Sequence, residues 1–216
     1  MGENINSETT CSSFIQFLKS FQSLLIFHCS LFIFKILIEA MKKYHVETER
    51  LFLHPLTYEQ LKLYLQNDGS LEKELGIQWI SRDIPPELKQ ALENTLLPSL
   101  AYNANYHFFT LWTMISKEHN CMIGDLCFKG APCENGSVEI EYGIYPAFEK
   151  RGYVTEAVKV LCDWALRQKY VRSVKAETGK DNIASQRVLQ KNGFVFMGEK
   201  NGTRQWQLKV RSSAFV

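Results

Sequence analysis

None of the six cysteines is spaced as a C-x-x-C pair, and none of the five histidines as H-x-x-x-H. Structural zinc sites draw their ligands from such local pairs, so the spacing argues against a zinc fold, and nothing in it suggests a disulfide scaffold. Glycine and proline number only 12 and 6 in 216 residues, too few for a collagen-like or low-complexity chain. There is no excess of one charge: 25 basic residues against 23 acidic leave +2. The broad basic footprint of a nucleic-acid binder is therefore missing. The chain also lacks a long apolar run. Its longest charge-free stretch near the start, residues 20–34, is 15 residues and is broken by Gln22 and His28. A membrane span needs roughly 20 apolar residues, so membrane insertion is not expected. No internal repeat is visible.

What is present is the balance of a chain that buries a core, 45% hydrophobic and 22% charged. Its length suits one domain, or one domain with an appendage. Reduced thiols, and with them a cytoplasmic location, are the expectation.

Residues 14–38, FIQFLKSFQSLLIFHCSLFIFKILI, do not read like the rest. No basic start or small-residue cleavage site marks them as a signal peptide. Residues 1–40 are read as an apolar extension outside the working domain, with a packing helix and a membrane anchor as the alternatives. The working domain is then 41–216. Within it, Leu51 and Leu53 alternate with Phe52 and His54 as a strand would, up to Pro55. Thr57 is placed to cap a helix carrying Leu61, Tyr64 and Leu65. Residues 68–100, with Pro85, Pro86 and Pro98, read as short helices and loops. Strands are expected over 108–116 and 122–129, then a loop, GAPCENGS.

The C-terminal half is more specific. VEIEYGIY, residues 138–145, puts Val138, Ile140, Tyr142 and Ile144 on one face and Glu139, Glu141, Gly143 and Tyr145 on the other. Pro146 ends it. Val154, Ala157, Val158, Leu161, Cys162 and Ala165 then recur as one face of a helix, so Cys162 reads as core and not as a nucleophile. A short strand over 173–177 and a second helix opening at Asp181/Asn182 and closing at Gly193 follow. Two strands joined by KNG end the pattern. The order strand–turn–helix–strand–helix–strand–strand implies a mixed sheet with helices on its faces.

Two segments carry chemistry. Between strand and helix lies PAFEKRGYVTEA. A turn ending in Gly152 and feeding a helix leaves backbone N–H groups free to cradle an anion, and Lys150 and Arg151 add charge beside them. A merely solvated turn is the plainer reading. Some thirty residues on, DNIASQRVLQKNGF sets Asn182 and Ser185 three apart at a helix start, which by itself suits a capping pair.

Taken together and in this order, ETERLFLHPL, VEIEYGIYP, EKRGYVTEAV and AETGKDNIASQRVLQKNGF resemble the GNAT superfamily of N-acetyltransferases, in particular its RimJ/RimL-like branch. The resemblance runs from about Met41 to the C-terminus. It implies an α/β (mixed α+β) fold: a mostly antiparallel twisted sheet with helices on both faces and the cofactor in a cleft between splayed strands. It implies acetyl-CoA as cosubstrate, held at its pyrophosphate by the amides of Lys150, Arg151, Gly152, Tyr153, Val154 and Thr155. Its pantetheine arm would lie along Tyr142, Gly143, Ile144 and Tyr145 and meet Asn182. Glu149 and Val154 depart from the family's turn pattern without removing a backbone donor. Many members carry a tyrosine where this chain has Leu189, and Ser185 is the branch's residue beside the sulfur.

The activity so implied is direct transfer of acetyl from acetyl-CoA to a primary amine, a protein N-terminus or a small molecule, with no metal and no nucleic acid involved, by a monomer or homodimer. Ser185 is the expected donor to the thiolate. Glu139, Glu141 and Glu177 are the candidates for removing a proton from the amine. His54, His107 and His119 are bases by type with nothing to place them. A non-catalytic acyl-CoA-binding domain, suggested by Leu189, and a membrane-tethered adaptor working through residues 14–38 are the competing readings.

Overall fold

A computed structural model of the chain describes residues 46–100 and 106–209. The extension read over residues 1–40 lies outside the described residues.

Period-two alternation builds the first strands. In β2 (Leu51–Pro55) Leu51 and Leu53 are buried and Phe52 is exposed, and the short β1 (Val46–Glu47) pairs with it. Thr57 then stops the strand and starts a helix. Its side chain accepts from Gln60 N while the Gln60 side chain returns to Thr57 N, a capping box that begins α1 (Tyr58–Gln66). Next come α2 (Ser70–Leu75) and α3 (Pro86–Ala91). The latter runs through a π-type turn, Leu92–Leu96, into α4 (Leu97–Leu100).

The strand expected over 108–116 starts later, as β3 (Leu111–Ser116), because Tyr106–Phe108 form a 3-10 turn. Trp112 Nε1 donates to His107 O at 2.8 Å. Phe108 meets Phe128 and Trp164 at 5.3 Å each. These aromatic contacts carry the chain into the core before it joins the sheet. The remainder follows the expected order: β4 (Cys121–Phe128), β5 (Ser137–Ile144), α5 (Tyr153–Leu166), β6 (Ser173–Gly179), α6 (Ile183–Lys191), β7 (Val195–Lys200) and β8 (Thr203–Lys209).

The eight strands form one sheet in the order β1-β2-β3-β4-β5-β6-β8-β7. Every neighbouring pair is antiparallel except β5 and β6, which α5 joins by a crossover and so makes parallel. Helices cover both faces, as expected. On one, Ala157, Val158, Leu161, Cys162 and Ala165 of α5, with Leu189 of α6, pack on Leu51, Leu53, Met114, Ile140, Val174 and Ala176. On the other, Leu61 and Tyr64 of α1 and Leu71, Leu92, Leu96 and Leu100 pack on Leu111, Ile115, Met122 and Cys127. Each fully buried leucine stabilises the fold by roughly 2 kcal/mol.

A bulge between β3 and β4 bears on the site. The register steps from Ile115↔Met122 to Met114↔Gly124, leaving Ile123 without a partner on β3. A one-residue slip reverses every later side chain. Leu126 and Phe128 therefore join the core under α5, and Asp125 turns toward α1. Gly124 permits the tight fit, since a Cβ there would overlap Gly143 O and Met114 Cε.

Candidate active site

Parallel pairing of β5 with β6 covers only Ser137–Glu139 against Ser173–Lys175. Beyond it the strands part. Lys129 N donates to Glu139 O at 2.9 Å and Tyr145 N to Ile123 O at 2.8 Å, so the peptide groups of these odd-numbered residues face β4. By alternation the N–H groups of Tyr142 and Ile144 face the gap. A cleft of about 840 Å³ opens there. Its wall draws on the α5/α6 side through Asn182 and Ser185, and on the α1–α4 side through Tyr64, Arg82, Pro85 and Leu88.

Most of the site residues expected from the sequence meet at this cleft. Tyr142, Gly143, Ile144, Tyr145, Glu141, Glu177, Asn182 and Ser185 all line it. Asn182 accepts from Ser185 N at 3.0 Å, so it caps α6 as well as facing the cleft. Ser185 Oγ lies 2.7 Å from the phenol of Tyr142. Burial pushes the Tyr142 pKa up to about 12, with the bond to Ser185 opposing. The phenol therefore stays protonated at neutral pH. When it donates to Oγ, the serine's own proton is left for a third group. The sequence reading used Tyr142 only through its backbone; the side-chain pairing was missed. Leu189 is fully buried in the core, so its position on α6 faces away from the cleft.

The carboxylates separate. Glu139 and Glu141 both bind Lys129, at 2.5 and 2.9 Å, and Glu139 is not part of the cleft wall. Glu177 meets the Thr203 hydroxyl at 3.4 Å and forms no ion pair among the described residues.

The turn before α5 lies next to the cleft: Pro146, Ala147 and Phe148 are in its wall, but Lys150, Arg151, Gly152, Tyr153, Val154 and Thr155 are not. Gly152 is the N-cap of α5, with φ +83° and no side chain capping the helix. The first-turn N–H groups are thus left for an outside acceptor. Lys150 also has positive φ, 60°. The Tyr153 ring is buried in the core, leaving only its amide to the turn. Arg50 is an unforeseen neighbour. It donates to Arg151 O at 3.1 Å, pairs with Glu156 at 2.6 Å and stacks over Tyr153 at 4.6 Å. No local pattern ties Arg50 to a turn a hundred residues away.

The α1–α4 side holds a second unforeseen group. Asp125 is 7% exposed. Its Oδ2 accepts from Tyr64 at 2.8 Å and Tyr145 at 3.1 Å, and its Oδ1 has no hydrogen-bond partner among the described residues. Burial pushes its pKa up, against the hydroxyls of Tyr64, Tyr145 and Thr113 and the charge of Arg82. Arg82 stacks over Tyr64 at 4.6 Å and is bound by buried Glu72. The histidines stay out of the cleft wall. His107 sits in the aromatic core, where burial lowers its pKa to about 4. Cys162 is core, as expected. No group of His, Cys, Asp and Glu able to hold a metal occurs among the described residues.

The sequence profile of the acetyltransferase (GNAT) domain matches residues 50–195. The N-acetyltransferase YjdG of Bacillus subtilis (strain 168), itself uncharacterized, is 28% identical over 165 residues, covering 74% of this chain and 95% of YjdG. Two solved structures share the fold. The ribosomal-protein-S5-alanine acetyltransferase of Vibrio fischeri has a TM-score of 0.58 at 16% identity, over 78% of this chain and 97% of that one. The ribosomal L7/L12 alpha-N-protein acetyltransferase RimL, solved in complex with coenzyme A, has 0.55 at 17%, over 77% and 98%. The profile spans more than half of the chain, including the splayed strands, the turn and Ser185, and on that ground this protein belongs to the GNAT family and is an acetyltransferase.

Proposed function

We propose that the protein binds acetyl-CoA between β5 and β6 and transfers the acetyl group directly to the primary amine of a protein N-terminus. The observation that carries this reading is the parting of β5 from β6 beside the Tyr142–Ser185 hydroxyl pair. The residues suit the cosubstrate. An uncapped helix start behind Gly152, with Lys150, Arg151 and Arg50 nearby, suits a pyrophosphate. The N–H groups of Tyr142 and Ile144 suit an extended arm and the oxyanion of an acyl transfer.

Acetyl-CoA, when bound, supplies the activated thioester. Ser185, oriented by Tyr142, donates a hydrogen bond to the leaving thiolate, whose proton in the product thiol is the one released from the amine. Asn182 fixes the start of α6 and so the position of Ser185. Glu177, on the cleft wall and with no ion pair among the described residues, removes the amine proton through water. Glu141 shares this role only in competition with Lys129, and Glu139 serves to hold Lys129. No covalent acyl-enzyme is needed, and Cys162 in the core offers no nucleophile. Tyr142 supports catalysis over the binding-only reading, since it brings to Ser185 the phenol that α6 lacks at Leu189.

The protein acceptor is inferred from the two solved relatives that act on ribosomal proteins. A cytoplasmic location fits reduced cysteines, and no helix among the described residues is long and apolar enough to cross a membrane. The test is thiol release from acetyl-CoA with peptides bearing free N-terminal serine or alanine, against a polyamine and an aminoglycoside. Turnover with the peptides is expected. Acetyl-CoA binding without release in any arm would refute the transferase reading of this cleft, and turnover with only the small amines would refute the N-terminal acceptor.

A further inference from the structure

The acceptor side of the cleft contains a buried carboxyl that forms no ion pair among the described residues. Arg82 and Glu72 neutralise one another. Asp125, nine-tenths buried and part of the cleft wall, takes two phenol hydroxyls on Oδ2 with the Thr113 hydroxyl also beside the carboxyl, while its Oδ1, itself shielded from water, has no hydrogen-bond partner among the described residues. Hydroxyl donors stabilise a carboxylate but bring no charge. With Asp125 ionised, the buried set of Glu72, Arg82 and Asp125 carries one net negative charge, and burial works against that form until a cation compensates it. Uncompensated charge of this kind is costly to bury and is commonly kept for a ligand.

The surroundings show what the ligand is. Tyr64 and Tyr145 bracket Asp125 with aromatic rings, and Leu88, Leu111 and Pro85 add apolar wall. Tyr145 and Glu177 lie on the same sheet face as Asp125, opposite the α5/α6 side where Ser185 sits. A compact cation reaching this pocket would meet one charged acceptor and aromatic surfaces, which also favour positive charge. The bulge at Ile123 is what aims Asp125 this way.

We infer that Asp125 is the anchor for the acceptor's ammonium group: Oδ1 accepts a hydrogen bond from the cationic primary amine and holds it in the cleft for acetylation. Asp125 is thus a specificity-determining residue that selects a positively charged amine end over a neutral one. The inference rests on the proposed transferase reading of the same cleft.

The experiment uses the full chain with a tripeptide bearing a free N-terminal serine. Two inhibitors with the same side chains are compared on the wild type: an N-terminally dimethylated tripeptide, still cationic but not acetylatable, and its neutral α-hydroxy analogue. The cationic form is expected to inhibit competitively against peptide and about tenfold more tightly than the neutral one, the size of a charge-assisted bond. In Asp125→Asn the KM for the serine peptide is expected to rise about tenfold, while the acetyl-CoA Kd is unchanged. The two inhibitors should then bind alike. Equal inhibition of the wild type by both would overturn the proposal even if Asp125→Asn did not fold. So would a folded Asp125→Asn with an unchanged peptide KM. A wild type that binds acetyl-CoA but acetylates no amine at all would instead refute the transferase reading on which the proposal stands.

Discussion

Ser185 and Tyr142 are two ordinary hydroxyls that the fold brings to 2.7 Å of each other. Asn182 holds the backbone of Ser185 at the start of α6, and Tyr142 reaches its Oγ from β5. Because burial keeps the phenol protonated well above neutral pH, the pair is a donor and not a base. A donor to a leaving thiolate acts in the transition state, so its loss lowers kcat before it lowers binding. Ser185→Ala is expected to reduce kcat about 10²-fold with the acetyl-CoA Kd little changed. Steady-state kinetics and calorimetry on the same variant check this, and an unchanged kcat would return Ser185 to the role of a capped helix residue. What the sequence disclosed at this scale was Ser185 and Asn182, because both sit in one local motif. It did not disclose the phenol 43 residues away, since nothing in a strand's alternation says which helix residue its side chain will touch.

At the scale of elements, the turn and α5 act as one unit. The polypeptide enters the helix through Gly152 in the left-handed region, where a side chain is strained by about 1 kcal/mol or more. Gly152→Glu adds that strain and sets a carboxylate at the helix start, in the space the phosphates are expected to use. The new charge would interact well with the helix dipole and with Arg50, which lies near the position of the new Cβ. Stability should therefore fall less than binding does. The expected outcome is an acetyl-CoA affinity at least about tenfold weaker, with a wild-type affinity that falls as salt screens Lys150 and Arg151. Calorimetry showing equal affinity in wild type and variant would move the phosphate site elsewhere. The helix, its apolar face and the glycine were legible in the sequence because each is a property of consecutive residues. The Arg50–Glu156 pair beside them spans 106 residues and depends on β2 lying against α5.

For the whole molecule, the described residues of the two cores on either side of the sheet lie between Val46 and Trp206. Every residue proposed for the site also lies in that span. A chain beginning at Met41 is accordingly expected to melt at the full-length temperature and to bind acetyl-CoA equally well. Thermal unfolding and calorimetry of the two chains side by side check it, and a clearly lower melting temperature for the shorter chain would make residues 1–40 part of the working domain. The sequence by itself determined the order of elements, the inward faces of β5 and α5, the caps of α1 and α6, and the glycine turn proposed to receive an anion. These follow from periods of two and 3.6 and from the conformations open to glycine, threonine and asparagine, all local properties. Only the tertiary structure decided that β5 and β6 part after Glu139, that Lys129 takes up Glu139 and Glu141, and that Asp125 faces α1 with one oxygen unfilled. The physical reason is register: a single unpaired residue at Ile123 reverses the side chains that follow, and pairing across a sheet is settled by residues far apart in sequence.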